Sequence, residues 1–223
     1  MWYHRCVNRV SCDARLSRID LDGIWDSLDG RAQTLLQRFG ELILQYRESA
    51  RLTGLADLPE IHEVLVRESL ALLPLLTLAS PGEVADLGSG PGIPGIPLAV
   101  ALPEVRVTVL ERSEKKASFL RIVVNTLELK NVEVAGEDPL AQPHPLPREC
   151  VVTRGAVPLP RMPDAARKLL RPGGHLLGFA SAVAGDGLFA SLPPGLVLIG
   201  VWPYSSGRGS ACVYWLTRGG EEQ

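Results

Sequence analysis

The 223-residue sequence offers little from which a metal site or a disulfide could be built. Its four cysteines, Cys6, Cys12, Cys150 and Cys212, are scattered, with no CxxC spacing and no cluster among the four histidines. A zinc site is therefore not expected, and reduced thiols in the cytoplasm are. Long apolar runs are missing as well: the longest, residues 70–79, is broken by Pro74 and is too short to span a bilayer, so no membrane partner is expected. The start, MWYHRCVNRV, has no apolar segment of the kind that directs secretion. Neither sign of charge dominates. Twenty-three basic and 25 acidic residues leave a formal charge of −2, which argues against a uniformly basic surface for nucleic acid. Also absent is GxxxxGK[ST], and with it the phosphate cradle of nucleoside triphosphatases. What is present, 46% hydrophobic residues, suits a medium-sized globular domain with an appendage.

One stretch organises the rest. Residues 83–97 read EVADLGSGPGIPGIP: a short apolar run with an acid, Asp86, then Gly88, Gly90 and Gly92, then an apolar segment with helical spacing. This is the pattern of a strand, a tight turn and a helix start, where glycines permit positive φ and close approach of a ligand to the backbone. A dinucleotide fingerprint, GxGxxG, would need glycine where Ile93 stands. A second acid, Glu111, ends the next apolar run, VRVTVL. An ammonium group suits Asp86, and a ribose diol suits the two oxygens of Glu111. S-adenosyl-L-methionine carries both groups and no phosphate, so it is the expected cofactor.

In chain order, residues 1–22 are expected as a mobile basic extension: up to Arg18 they hold Arg5, Arg9, Arg15 and Arg18 against one acid, Asp13, with Asp20 and Asp22 at the end. Residues 23–80 are expected as an N-terminal helical cap. Apolar steps of three and four over 24–52 predict one or two amphipathic helices, and Asp57 with Pro59 opens another running through Leu72, which Pro74 should end or kink. From 81 to 218 strands and helices alternate, which predicts an α/β three-layer fold with a mostly parallel sheet. Strands are placed at 83–87, 105–110, 132–135, 150–153 and 175–180, with a helix over 113–128 and a turn at Gly173 and Gly174 before the fifth strand. The proline-rich AQPHPLPRE reads as a loop. Residues 196–201 and 212–216 are expected to form an antiparallel hairpin at the sheet edge. Ligands of such sheets bind at the carboxyl ends of the strands, where Asp86, Glu111, residues 136–140 and Arg154 fall.

The segment from DLGSGPGIPGIP through LERSEKKASFLRIVVNTLELKNVEV resembles the bacterial small-subunit rRNA guanine-N7 methyltransferase family, also called glucose-inhibited division protein B (RsmG or GidB). VVTRGAVPLP and RPGG resemble later family segments, and YRESARLTGL and VRESLALLPLL resemble its helical cap. The likeness spans about 35–216. It implies a class I S-adenosylmethionine-dependent methyltransferase (Rossmann-like) fold with an antiparallel edge strand, cap and core acting as one unit, and as substrate a guanine in a loop of 16S rRNA, within the small ribosomal subunit or an assembly intermediate. The chain is expected to act as a monomer. Carried over by position, cofactor contacts fall on Gly88, Ile93, Pro139, Leu140 and Arg154; the residue-level reading adds Asp86, Gly90, Gly92 and Glu111. Arg154 is the candidate for positioning substrate or cofactor. Three departures stand out. Leu65 replaces a histidine three residues before Glu68, Ala180 replaces a lysine, and Glu137, Asp138, Pro139 and Leu140 stand where Arg-Ala-Glu-Glu is usual. They keep open an alternative, a cofactor-binding homologue with a different substrate or little catalysis.

Overall fold

The computed structural model describes residues 17–181, 191–206 and 209–219. Helix α1 (Leu21–Ser27) opens at Asp20, whose side chain accepts from the Gly23 N–H. Asp29 does the same for α2 (Gly30–Tyr46) through the Ala32 N–H at 2.7 Å. Each cap satisfies one donor that a helix start leaves open. The apolar stretch read as one or two helices is therefore two, and Leu36, Phe39, Leu42 and Ile43 of α2 form its buried stripe.

Asp57 caps α3 (Leu58–Ile61), and the chain continues through a π turn (His62–Arg67) and a 3-10 turn (Glu68–Leu72) into α4 (Leu73–Ala79). Pro74 does not end this run. It sits in the first turn of α4, where a missing N–H breaks no bond. The irregularity falls instead on the residues before it.

Seven strands form one sheet: β1 (Glu83–Leu87), β2 (Arg106–Leu110), β3 (Val132–Ala135), β4 (Arg148–Thr153), β5 (Leu170–Ser181), β6 (Leu196–Ser206) and β7 (Gly209–Arg218), in the order β3-β2-β1-β4-β5-β7-β6. Strands β1 to β5 pair in parallel, and β7 runs antiparallel to both β5 and β6. The expected fifth strand begins earlier than its apolar pattern suggests. Leu170 already pairs with Arg148 and the register shifts before Cys150, so Gly173 and Gly174 lie inside β5 rather than in a turn before it. A Cβ on Gly174 would come within 3.0 Å of three backbone carbonyl oxygens. The hairpin is also longer than expected, because β7 is sandwiched between β5 and β6 and its ladder runs out to Ser206; residues 207–208 lie outside the described residues.

Helices α5 (Gly95–Ala101), α6 (Glu114–Thr126) and α7 (Met162–Leu169) cover the sheet. On one side Phe39 and Ile43 of α2 join Ile96, Phe119 and Leu120 in a single core cluster, each fully buried side chain of this size stabilising by roughly 1.5–3 kcal/mol. On the other side Met162, Ala166 and Leu169 of α7 pack on Leu176, Tyr214 and Leu216.

The expected extension is only partly open to description, since residues 1–16 lie outside the described residues. Its end is docked rather than free. The Ile19 N–H donates to the Pro203 carbonyl at 3.0 Å, Ile19 bridges Tyr204 and is 2% exposed, and Arg18 hydrogen-bonds Ser205. Burial of one isoleucine against the edge strand accounts for this. Among the described residues no helix is long and apolar enough to cross a membrane, and no group of three metal-ligating side chains occurs.

Candidate active site

The strand order reverses between β1 and β4, so a crevice opens at their carboxyl ends. Gly88, Gly90 and Gly92 take φ of +67°, +58° and +99° in the turn leaving β1. At Gly88 a Cβ would lie 2.5 Å from the Ala156 Cβ, so the turn after β1 touches the loop after β4. Two acids hold this turn. Asp86 is wholly buried and its Oδ2 accepts from the Gly95 N–H at 2.8 Å, tying the strand end to the start of α5. Glu111 accepts from the Gly90 N–H at 2.8 Å with Oε2 and from the Ser113 N–H at 2.8 Å with Oε1. Gly95, which sequence reasoning did not single out, is needed as well: a Cβ there would meet Asp86 and Val109 atoms at 2.7–2.9 Å.

Gly88, Glu111, Pro139 and Leu140 line one cleft of about 260 Å³, together with Arg112, Lys116, Asp138, Ala156 and Val157. Four of the residues predicted as cofactor contacts are thus brought together. Asp138 shapes the far wall by accepting from the Leu140 N–H at 3.0 Å, and Lys168 of α7 donates to the Leu140 carbonyl at 2.6 Å. The other predicted residues sit elsewhere. Asp86 lies beneath the turn, Gly90 presents its N–H to Glu111, Gly92 closes the turn against Ile96, Leu120 and Phe39, and Ile93 is 9% exposed in the apolar core cluster.

Burial of Asp86 outweighs its hydrogen bond from Gly95 and pushes its carboxyl up from 3.8 to about 7. A raised native pKa means that, between about 4 and 7, the folded chain holds a proton that the unfolded chain releases. Stability therefore falls as pH rises through that window, by up to about 4 kcal/mol, and the penalty is fully present above it. Asp86→Asn cannot ionise and is expected to flatten this dependence. Melting curves of both proteins at pH 5 and pH 8 check it, and an equal drop in the two would show that Asp86 does not carry the effect.

Arg154 belongs to a second cleft, of about 580 Å³, that shares Val157 with the first. Its Nη1 donates to the Val64 carbonyl of the π turn at 2.6 Å, its Nη2 to Glu68 Oε2 at 2.7 Å, and its guanidinium lies 5.3 Å from the Phe179 ring centre. The Tyr204 hydroxyl donates to the same Glu68 oxygen at 3.3 Å. Desolvation, followed by the charge of Glu68, pushes the Tyr204 hydroxyl well above its usual pKa, so it remains a donor. Glu68 and Arg154 are 86 residues apart and Glu68 and Tyr204 are 136 apart. No local pattern announces such a network. Of the two departures in side-chain type, Ala180 lines this second cleft, whereas Leu65 is buried in the core cluster.

A profile of the GidB family, described as rRNA small subunit methyltransferase G, matches residues 32–186. Ribosomal RNA small subunit methyltransferase G of Xanthomonas euvesicatoria pv. vesicatoria is 34% identical over 177 residues, covering 79% of this chain and 82% of that protein. The protein of the same name in Xylella fastidiosa is 36% identical over 162 residues, 73% of this chain and 74% of its own length. Among solved structures, a putative O-methyltransferase from Klebsiella pneumoniae superposes with a TM-score of 0.60 at 15% identity, covering 92% of this chain and 98% of that one. The O-methyltransferase TomG from Streptomyces achromogenes, solved in complex with SAM, gives 0.59 at 16% identity over the same shares. At that identity the structures speak for the fold alone: the class I S-adenosylmethionine-dependent methyltransferase architecture, in which a mostly parallel sheet carries an antiparallel strand. The profile and the curated relatives speak for descent, and on them the chain belongs to the GidB family of small-subunit rRNA methyltransferases.

Proposed function

We propose that this protein uses S-adenosylmethionine to methylate N7 of a guanine in a loop of 16S rRNA. The observation that carries the reading is the family match through residues 32–186, which takes in the lining of the first cleft and Glu68, Arg154 and Phe179 of the second. The first cleft has the features this cofactor asks for: a wall without a side chain at Gly88, an acid at Glu111, and a far wall from Pro139 and Leu140. S-adenosylmethionine supplies an electrophilic methyl group on a sulfonium centre. Gly88 leaves room for the ligand against the backbone, Glu111 is an acceptor for a ribose diol, and Leu140 is held in place by Asp138 and Lys168.

The acceptor chemistry asks for no general base, because guanine N7 attacks through a lone pair and loses no proton. What the protein contributes is orientation, which in well-aligned cases supplies about 7–11 kcal/mol of the barrier. The leucine and alanine at positions 65 and 180 therefore remove no group on which the reaction depends. An exposed N7 is presented by looped or structured RNA more readily than by a regular A-form helix, whose major groove is deep and narrow.

The test uses small ribosomal subunits and protein-free 16S rRNA from cells lacking the gene, incubated with the purified protein and methyl-labelled S-adenosylmethionine. 7-Methylguanosine is the expected labelled nucleoside. Label at another atom, or none in either substrate, would overturn the reading.

A further inference from the structure

The second cleft holds a single carboxylate among its described lining residues, Glu68, and it is 4% exposed. We infer that Glu68 reads the acceptor base, accepting from the N1–H and 2-amino edge of a guanine whose N7 is directed past Val157 toward the first cleft. The inference rests on the functional reading above and adds to it the residue that makes the acceptor a guanine.

Both protein hydrogen bonds to Glu68 fall on one oxygen. Oε2 takes Arg154 Nη2 and the Tyr204 hydroxyl, whereas a carboxylate offers about four lone-pair sites. Oε1 is left for a ligand in the cleft. Guanine presents two donors on its Watson–Crick edge, on the side of the purine away from N7. Adenine presents an acceptor at N1, and its lone pair would face the carboxylate. A site that hydrogen-bonds a substrate N–H rejects an analogue lacking it far better than an apolar pocket does.

Charge points the same way. Methylation at N7 leaves the purine with a positive charge, which strengthens its N–H donors and favours a nearby anion. Glu68 would therefore hold the transition state more tightly than the ground state, which is the condition for catalysis rather than mere binding. Arg154 offsets part of this effect, but its guanidinium bonds Oε2 and is stacked on Phe179, so the base that meets Oε1 lies nearer the anion than the cation. Ala180 leaves the end of β5 without the further cation that a lysine would place there. Phe179, half-buried and lining the cleft, gives the base an apolar surface to pack on, as unstacked bases require.

The experiment measures binding of nucleosides to the full chain saturated with S-adenosylhomocysteine. Guanosine is expected to bind about tenfold or more tightly than guanosine methylated at N1, the loss that follows from removing a hydrogen bond to a charged acceptor, and 7-methylguanosine is expected to bind more tightly than guanosine. Glu68→Gln should erase both preferences while retaining S-adenosylhomocysteine affinity, which also reports that the variant folds. Equal binding of guanosine and its N1-methyl derivative by the unmodified protein overturns the inference without any variant, as does failure to bind guanosine at millimolar concentration. Persistence of both preferences in Glu68→Gln does so too. Scoring 7-methylguanosine in rRNA in parallel separates the two proposals. If it forms and Glu68→Gln is indifferent, the assignment of Glu68 alone falls; if it never forms, the functional reading falls and the assignment with it.

Discussion

Gly88→Arg is expected to abolish binding of S-adenosylhomocysteine to the purified protein. Three effects act at this position in the same direction. The residue has a φ of +67°, which costs a non-glycine side chain about 1–2 kcal/mol. Its Cβ would lie 2.5 Å from the Ala156 Cβ, and relieving that overlap costs about 1–3 kcal/mol. The remaining guanidinium arm then occupies the cleft that Gly88 shares with Glu111, Pro139 and Leu140. The first two effects lower stability by a few kcal/mol, but only the third blocks a ligand outright. Gly88→Ala separates them: it suffers the strain and the clash without filling the cleft, so it should lose stability and only part of the affinity. Calorimetric titration of both variants, with melting curves as the fold control, decides the point. Unchanged affinity in Gly88→Arg would show that the cofactor does not lie against this turn.

The glycine turn was legible because its requirement is local. Alternating glycines after an apolar run declare positive φ, and the structure supplies it at Gly88, Gly90 and Gly92. The parallel sheet was legible for a similar reason, since each strand's apolar run and each helix's stripe repeat within a few residues. Ile93 is adjacent to the turn and its side chain faces the core, so any contact it makes in the cleft falls to its backbone. The boundary expected at Leu72 is there, but the chain stays helical beyond it because Pro74 falls in the first turn of α4, where a proline breaks no bond. The first five residues of β5 escape the sequence reading because Gly173 and Gly174 look like a turn, whereas Leu170 already pairs with Arg148 and the glycines fall in the register shift before His175 pairs with Cys150. Least legible was the second cleft. Arg154 could be placed after β4 from the sequence, but its partners Val64 and Glu68 come from the π turn and the 3-10 turn, and Tyr204, which donates to Glu68, comes from the edge strand. Only tertiary structure brings them together. Through these two hydrogen bonds Arg154 fastens the cap to the core.

That description carries the second large effect. Arg154→Met retains much of the side chain's length and its packing on Phe179 but removes the charge opposite Glu68. Glu68 is then left almost fully buried with the Tyr204 hydroxyl as its remaining partner. Breaking one side of a buried ion pair costs about 3–5 kcal/mol, mainly because the surviving charge is uncompensated. Replacing both members with apolar residues of similar size is often close to neutral. Arg154→Met is accordingly expected to be severely destabilised, and Arg154→Met/Glu68→Leu to recover most of the loss, a non-additivity that a double-mutant cycle in urea would resolve. The recovered protein should still bind S-adenosylhomocysteine, because neither residue lines the first cleft, but it should lose the preference for guanosine. A double variant no more stable than Arg154→Met would mean that the pair is not coupled across the cap and the core. Recovered stability with guanosine preference intact would locate base recognition elsewhere. The cycle therefore measures what the pair does for the fold and what Glu68 does for the substrate in the same set of proteins.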